Sequence, residues 1–183
     1  MNAVSITVLP STRAVRKSTP LPANVHLDAK HRILDTVAAM VSGAALPPGI
    51  AATKFARTQG GTAEASILAS DIRTTAINAA LVNGMLAHAD ESDDFEPITK
   101  AHPGSSTVPA AFALAEKDHR SGEELIRAVA LGYDVGCRFL LALGRDHVRK
   151  THRGAEAYGA AMGAMASAAS VARLDLQGMR YAI

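Results

Sequence analysis

Ala157-Tyr158-Gly159-Ala160-Ala161-Met162-Gly163-Ala164-Met165-Ala166-Ser167-Ala168-Ala169-Ser170-Val171-Ala172 is the stretch that decides the fold. Its apolarity is almost all Ala and Gly, and it is shorter than the ~20 residues a membrane span needs. It reads as a buried helix of a globular protein. Gly159 and Gly163 stand four apart, which strips side chains from one stripe and lets another helix approach closely. Alanine fills about a fifth of the chain, far above ordinary usage; aromatic residues make up only 4% and Trp is absent. Strands prefer β-branched and aromatic side chains, so this composition predicts an all-α, Ala-rich helical bundle.

Moving N-terminally, Ser121-Gly122-Glu123-Glu124 is a capping box, with hydroxyl and carboxylate three apart. It opens a long helix through Leu125, Ile126, Val129 and Val135, and a basic connector runs from Arg145 to Arg153. Ser105 or Ser106 is expected to cap a helix through Val108, Phe112 and Ala115. Ser70 or Asp71 is expected to cap one through Ile72, Ala76, Ile77, Ala80 and Leu86, and Glu64 to Leu68 to be extended. Pro47-Pro48 opens a short helix that ends at Gly60-Gly61. The first helix is expected from a cap at Asp28, with Ile33, Leu34, Val37, Ala38 and Val41 on its apolar side and its end at Gly43. Residues 1–27 then form a loose N-terminal arm and residues 28–183 a helical domain. Arg13, Arg16 and Lys17 among Ser, Thr and Pro leave a transit-like leader as the other reading of that arm. At the other end Asp175 looks like a cap, and Leu176, Met179 and Ile183 share one face of a new helix. The expectation is a piece of a longer protein, with Leu174, Leu176, Met179 and Ile183 partly exposed.

Net charge is +2, too small to imply nucleic acid or an anionic membrane. The single cysteine, Cys137, excludes an internal disulfide and fits a reducing, cytoplasmic setting as a small core residue. The basic connector reads as a solvated loop or as a clamp for carboxylates, since Arg grips them bidentately. No phosphate-binding Gly-Lys-Ser/Thr loop, Cys-pair zinc pattern or nucleophile elbow is present.

Chemistry concentrates in His88-Ala89-Asp90-Glu91-Ser92-Asp93-Asp94, followed by His102-Pro103-Gly104. Four carboxylates in five residues repel one another unless something cationic faces them, and they oppose the dipole of a helix that ends there. A metal, a facing cation or catalysis would account for both costs; a solvated acidic loop is the bland alternative. His102, held on a Pro-Gly turn, has an imidazole suited to acid/base work near neutral pH.

Asn83-Gly84-Met85-Leu86-Ala87-His88-Ala89 with the acidic run and His102-Pro103-Gly104 resembles the signature of the MmgE/PrpD family. Glu116, Gly122-Glu123-Glu124-Leu125, Gly132-Tyr133-Asp134-Val135, His152, the Gly/Ala helix and Leu174-Asp175-Leu176 follow in the family's order, so the likeness spans 28–183. It implies an N-terminal helical domain without the family's smaller lid domain, commonly a homodimer, and no organic cofactor or metal. The implied reaction is a dehydration, decarboxylation or isomerisation of a small polycarboxylate such as 2-methylcitrate or cis-aconitate. Carried over by position, His102 would be the acid/base group and Glu91 the first acidic position of the signature. His152, Asp94 and Arg153 would contact substrate. Phe95 stands where many members place Thr or Ser, and the family's later lysines have no counterpart here. Two rival readings are a metal-dependent hydrolase using His88, Asp90, Asp94 and His102, and a non-catalytic helical remnant.

Overall fold

The computed structural model describes residues 20–151 and 154–182. Among them lie eight helices and one two-stranded antiparallel sheet. Chain order is α1 (Ala23–Gly43), α2 (Pro47–Gln59), β1 (Ala65–Ser66), β2 (Arg73–Thr74), α3 (Ala76–Ala87), α4 (Gly104–Lys117), α5 (Gly122–Leu143), α6 (Arg145–Lys150), α7 (Ala155–Val171) and α8 (Leu176–Tyr181). The chain is all-α, as its composition requires. Among the described residues no single helix is long and apolar enough to cross a membrane.

The most extensive helix pair is α5 against α7, and four glycines make it. A Cβ at Gly136 would fall 2.7 Å from the carbonyl oxygen of Gly159; one at Gly132 would fall 2.8 Å from that of Gly163 and 2.3 Å from Thr107 Cγ2. The stripe read from Gly159 and Gly163 thus meets a matching stripe on α5, and the two backbones touch. Helix α4 packs between α7 and α3, and α1 lies across α3 and α5. Met40, Ile67, Val82, Leu86, Val108, Val129 and Val171 fill the space between. Small residues set the spacing; a few aliphatic ones fill it.

Local signals account for the ends of several helices. Ser121 and Glu124 complete both halves of the capping box at α5, Asp175 accepts the Gly178 N–H at α8, and Pro47 stands at the start of α2.

Several expectations need correction. Helix α1 starts at Ala23, after Pro22, so Asp28 is an exposed residue in its second turn rather than its cap. Residues 23–27 of the expected arm are therefore helical; residues 1–19 lie outside the described part. The buried face of α1 is Ala29, Thr36, Ala39, Met40 and Gly43, while Leu34 and Val41 face outward. The third helix begins after Thr75, whose hydroxyl accepts the Asn78 N–H, not at Ser70 or Asp71. Arg73 and Thr74 pair instead with Ser66 and Ala65, and Glu116 clasps this hairpin through Ser66 and Arg73. Helix α4 starts at Gly104 with no side-chain cap; Ser105 and Ser106 lie inside its first turn and donate their hydroxyls back to the carbonyls of His102 and Pro103. The basic connector contains the six-residue helix α6. Near the end of the chain Leu174 and Leu176 are exposed and Met179 is half-buried, as expected; Ile183 lies outside the described residues.

Candidate active site

The acidic segment leaves the C-terminus of α3 and returns into α4 through His102-Pro103-Gly104. Its carboxylates do not sit together. Asp90, Asp93 and Asp94 each point at a different partner and Glu91 faces solvent, which spreads apart the charges that the sequence crowds together.

Asp90 accepts the Ser42 hydroxyl at 2.6 Å and the Ser92 hydroxyl at 2.6 Å. The Ser42 bond, then that of Ser92, holds its carboxyl below the usual range. Glu91 is exposed, takes a left-handed backbone (φ 53), and makes no ion pair with a described residue. Asp93 has a fully buried side chain and lies between two histidines. Its Oδ1 is 3.0 Å from Nδ1 of His88 and 3.3 Å from Nδ1 of His102. The two imidazoles meet edge to face with centroids 5.1 Å apart. His102 Nδ1 is buried and, off-line from Asp93, has charge proximity rather than an aligned hydrogen bond.

Asp94 is the structural carboxylate. Its Oδ1 accepts the Gly104 N–H at 2.9 Å, and its Oδ2 accepts the Tyr133 hydroxyl at 2.8 Å with Arg32 3.5 Å away. Burial pushes the Asp94 carboxyl up, against the downward pull of Tyr133 and Gly104, and burial likewise raises the Tyr133 phenol. A Cβ at Gly104 would fall 2.4 Å from Asp94 Oδ1, 2.6 Å from Thr36 Oγ1 and 2.8 Å from the Tyr133 hydroxyl. Only glycine fits where α1, α4 and α5 converge. The turn that carries His102 is thereby pinned from three helices.

The carboxylate on the histidines is thus Asp93, not Glu91, which faces solvent. Asp94, expected to contact substrate, has a side chain 3% exposed whose oxygens engage Gly104, Tyr133 and Arg32. His152 and Arg153 lie outside the described residues, and Arg149 and Lys150 are exposed on α6. The metal set read from sequence does not assemble, since Asp90 and Asp94 face other partners. Nitrogen and oxygen atoms of His88, Asp93 and His102 do lie within 4.8 Å of one another, close enough to share a cation.

Beyond the histidines, Phe95 lies 5.5 Å from the His102 ring, and the ammonium of Lys100 sits 4.9 Å from the Phe95 centroid. Neither Asp93 nor Lys100 stands out in the sequence. Four neighbouring carboxylates look alike until the turn sorts them, and Lys100 is one cation in an irregular loop.

Asp93, buried beneath two histidines, and the His102-Pro103-Gly104 turn pinned by Asp94 both fall in the stretch that carries the resemblance. A family model of the MmgE/PrpD N-terminal domain matches residues 14–183. The chain belongs to the MmgE/PrpD family. It is also 30% identical over 159 residues to the cis-aconitate decarboxylase-like protein oryM of Aspergillus oryzae (strain ATCC 42149 / RIB 40). That match covers 82% of this chain and 33% of the relative, so the chain spans about a third of the length of the curated relative it matches. The helices α1–α8 are accordingly the MmgE/PrpD N-terminal helical domain.

Proposed function

We propose that this MmgE/PrpD chain carries the acid/base side of a lyase site, acting next to a carboxylate of a small polycarboxylate such as cis-aconitate or 2-methylcitrate. One observation carries the reading: Asp93, fully buried, lies beneath both His88 and His102. The hydrogen bond between Asp93 and Nδ1 of His88 fixes the orientation of that ring, His102 packs against it, and the His102 imidazole is placed to exchange a proton with substrate. The relative's printed name, cis-aconitate decarboxylase-like, supports the same substrate class.

His102 is the proposed acid/base group, with His88 and Asp93 as its support and His152 and Arg153 as substrate contacts. The reaction needs no organic cofactor in this reading. Family resemblance also implies carboxylate-binding lysines with no counterpart in these 183 residues, so the chain alone is proposed to bind substrate without turning it over. Exposed apolar residues on α1 (Leu27, Leu34, Val41) and on α3 (Ile77, Leu81, Met85) support a homodimer.

Calorimetric titration with cis-aconitate, run beside an absorbance assay for its loss, tests the proposal. Saturable binding that His102→Ala removes, with no turnover, is the expected result. A chain that binds no polycarboxylate at all refutes it.

A further inference from the structure

We propose that Lys100 is the cation that receives a substrate carboxylate beside His102, with Phe95 as the ring that holds its side chain there. The inference rests on the acid/base reading of His102 and adds to it a cation from the loop that leads into His102.

The loop that presents Lys100 is built by Glu96. Its N–H donates to the Ala101 carbonyl at 2.9 Å, and its carbonyl accepts the Lys100 N–H at 2.8 Å. Its carboxylate accepts the N–H groups of Ile98 and Thr99 and the Thr99 hydroxyl. These bonds hold the Glu96 carboxyl below the usual range even though burial, the largest single influence, pushes it up. The Lys100 charge adds to that downward pull from beyond ion-pair distance, while the oxygens of Glu96 are bonded within their own turn. Lys100 sits at φ 66, in the left-handed region, one residue before the strand-like bridge from Ala101 to Glu96. An L residue is strained there, and the turn holds it.

From that backbone the ammonium reaches the Phe95 ring, a contact that favours a cation over a ring face. Among the described residues Lys100 has no carboxylate within ion-pair distance. The same ring packs against His102, so a cation with no carboxylate in ion-pair contact among the described residues and a proton-exchanging imidazole share one aromatic neighbour. A polycarboxylate offers what both want: one carboxylate for the ammonium and a second, beside the labile centre, for the imidazole. Phe95, which stands where the resemblance expects a hydroxyl, then acts as the wall between the two subsites.

Calorimetry on the full chain decides it, using tricarballylate and glutarate as probes at fixed pH and ionic strength. The unsubstituted chain should prefer tricarballylate. Lys100→Gln should weaken tricarballylate by tenfold or more and narrow its advantage over glutarate, while Lys100→Arg should retain most of the affinity. Lys100→Met, which keeps the aliphatic stem over the ring, carries the same comparison if the Gln variant melts early. Unchanged tricarballylate affinity without the charge overturns the assignment and leaves the reading of His102 standing. No saturable binding by the unsubstituted chain overturns both.

Discussion

Asp93 Oδ1 lies 3.3 Å from His102 Nδ1 and 3.0 Å from His88 Nδ1, so one buried carboxylate serves two imidazoles. A carboxylate can only accept, which makes Nδ1 of His88, the ring hydrogen-bonded to Asp93, the preferred place for that ring's proton. Long-range nitrogen–proton correlation spectra of the neutral chain should show His88 as the Nδ1–H tautomer. Asp93→Asn should broaden or mix that signal. An Nε2–H tautomer of His88 in the unsubstituted chain would mean that Asp93 does not orient it.

Tyr133 and Gly104 test the pinned turn. Tyr133→Phe removes a hydrogen bond to the buried Asp94 carboxylate and should cost roughly 1.5–3 kcal/mol in chemical denaturation. Gly104→Ala should cost at least as much, because its Cβ would overlap three oxygens at once. If both variants melt like the parent, Asp94 is not the hub described.

The glycine seam makes a paired prediction. Gly136→Ala drives a methyl into the Gly159 carbonyl and should destabilise by about 1–3 kcal/mol. At Gly122, in the first turn of α5, an added Cβ meets nothing within 4 Å. Gly122→Ala should therefore be neutral or stabilising by about 0.4–1 kcal/mol, through the lost freedom of the unfolded chain. Equal effects at the two sites would contradict the close contact of α5 with α7.

Much of this was legible in the sequence. Ala and Gly at helical spacing named the bundle, and Ser121, Asp175 and Pro47 marked real helix starts. What the sequence hid had a local cause. Strands of two residues are too short to show a period, so Arg73 and Thr74 were absorbed into a helix read from Ser70. An exposed stripe on α1 mimicked a core face, because Leu34 and Val41 are apolar wherever they point. Within the site the residue types were visible but not their directions. Glu91 and Asp93 differ by two positions, and only the left-handed turn at Glu91 sends one to solvent and the other beneath the histidines.

Acid stability carries its own sign. The Arg173 guanidinium, bonded to Glu124 at 2.7 Å, holds that carboxyl down at about 2 from an ordinary 4.5. A depressed carboxyl stabilises the fold above its unfolded value and loses that contribution as pH falls through the folded one. Arg173→Ala should thus lower the melting temperature near neutrality, and the gap should close as pH drops from about 4.5 toward 2. A gap independent of pH would assign Arg173 a packing role instead.

Whether the His88–Asp93–His102 cluster is where a polycarboxylate binds is read from the histidine side-chain signals while cis-aconitate is added. His26, paired with Glu123 on the outer surface, and His119, in the turn after α4, serve as internal references. His88 and His102 should move together and saturably while His26 and His119 stay in place. Saturable shifts confined to His26 or His119, with His88 and His102 unmoved at saturating ligand, would contradict it.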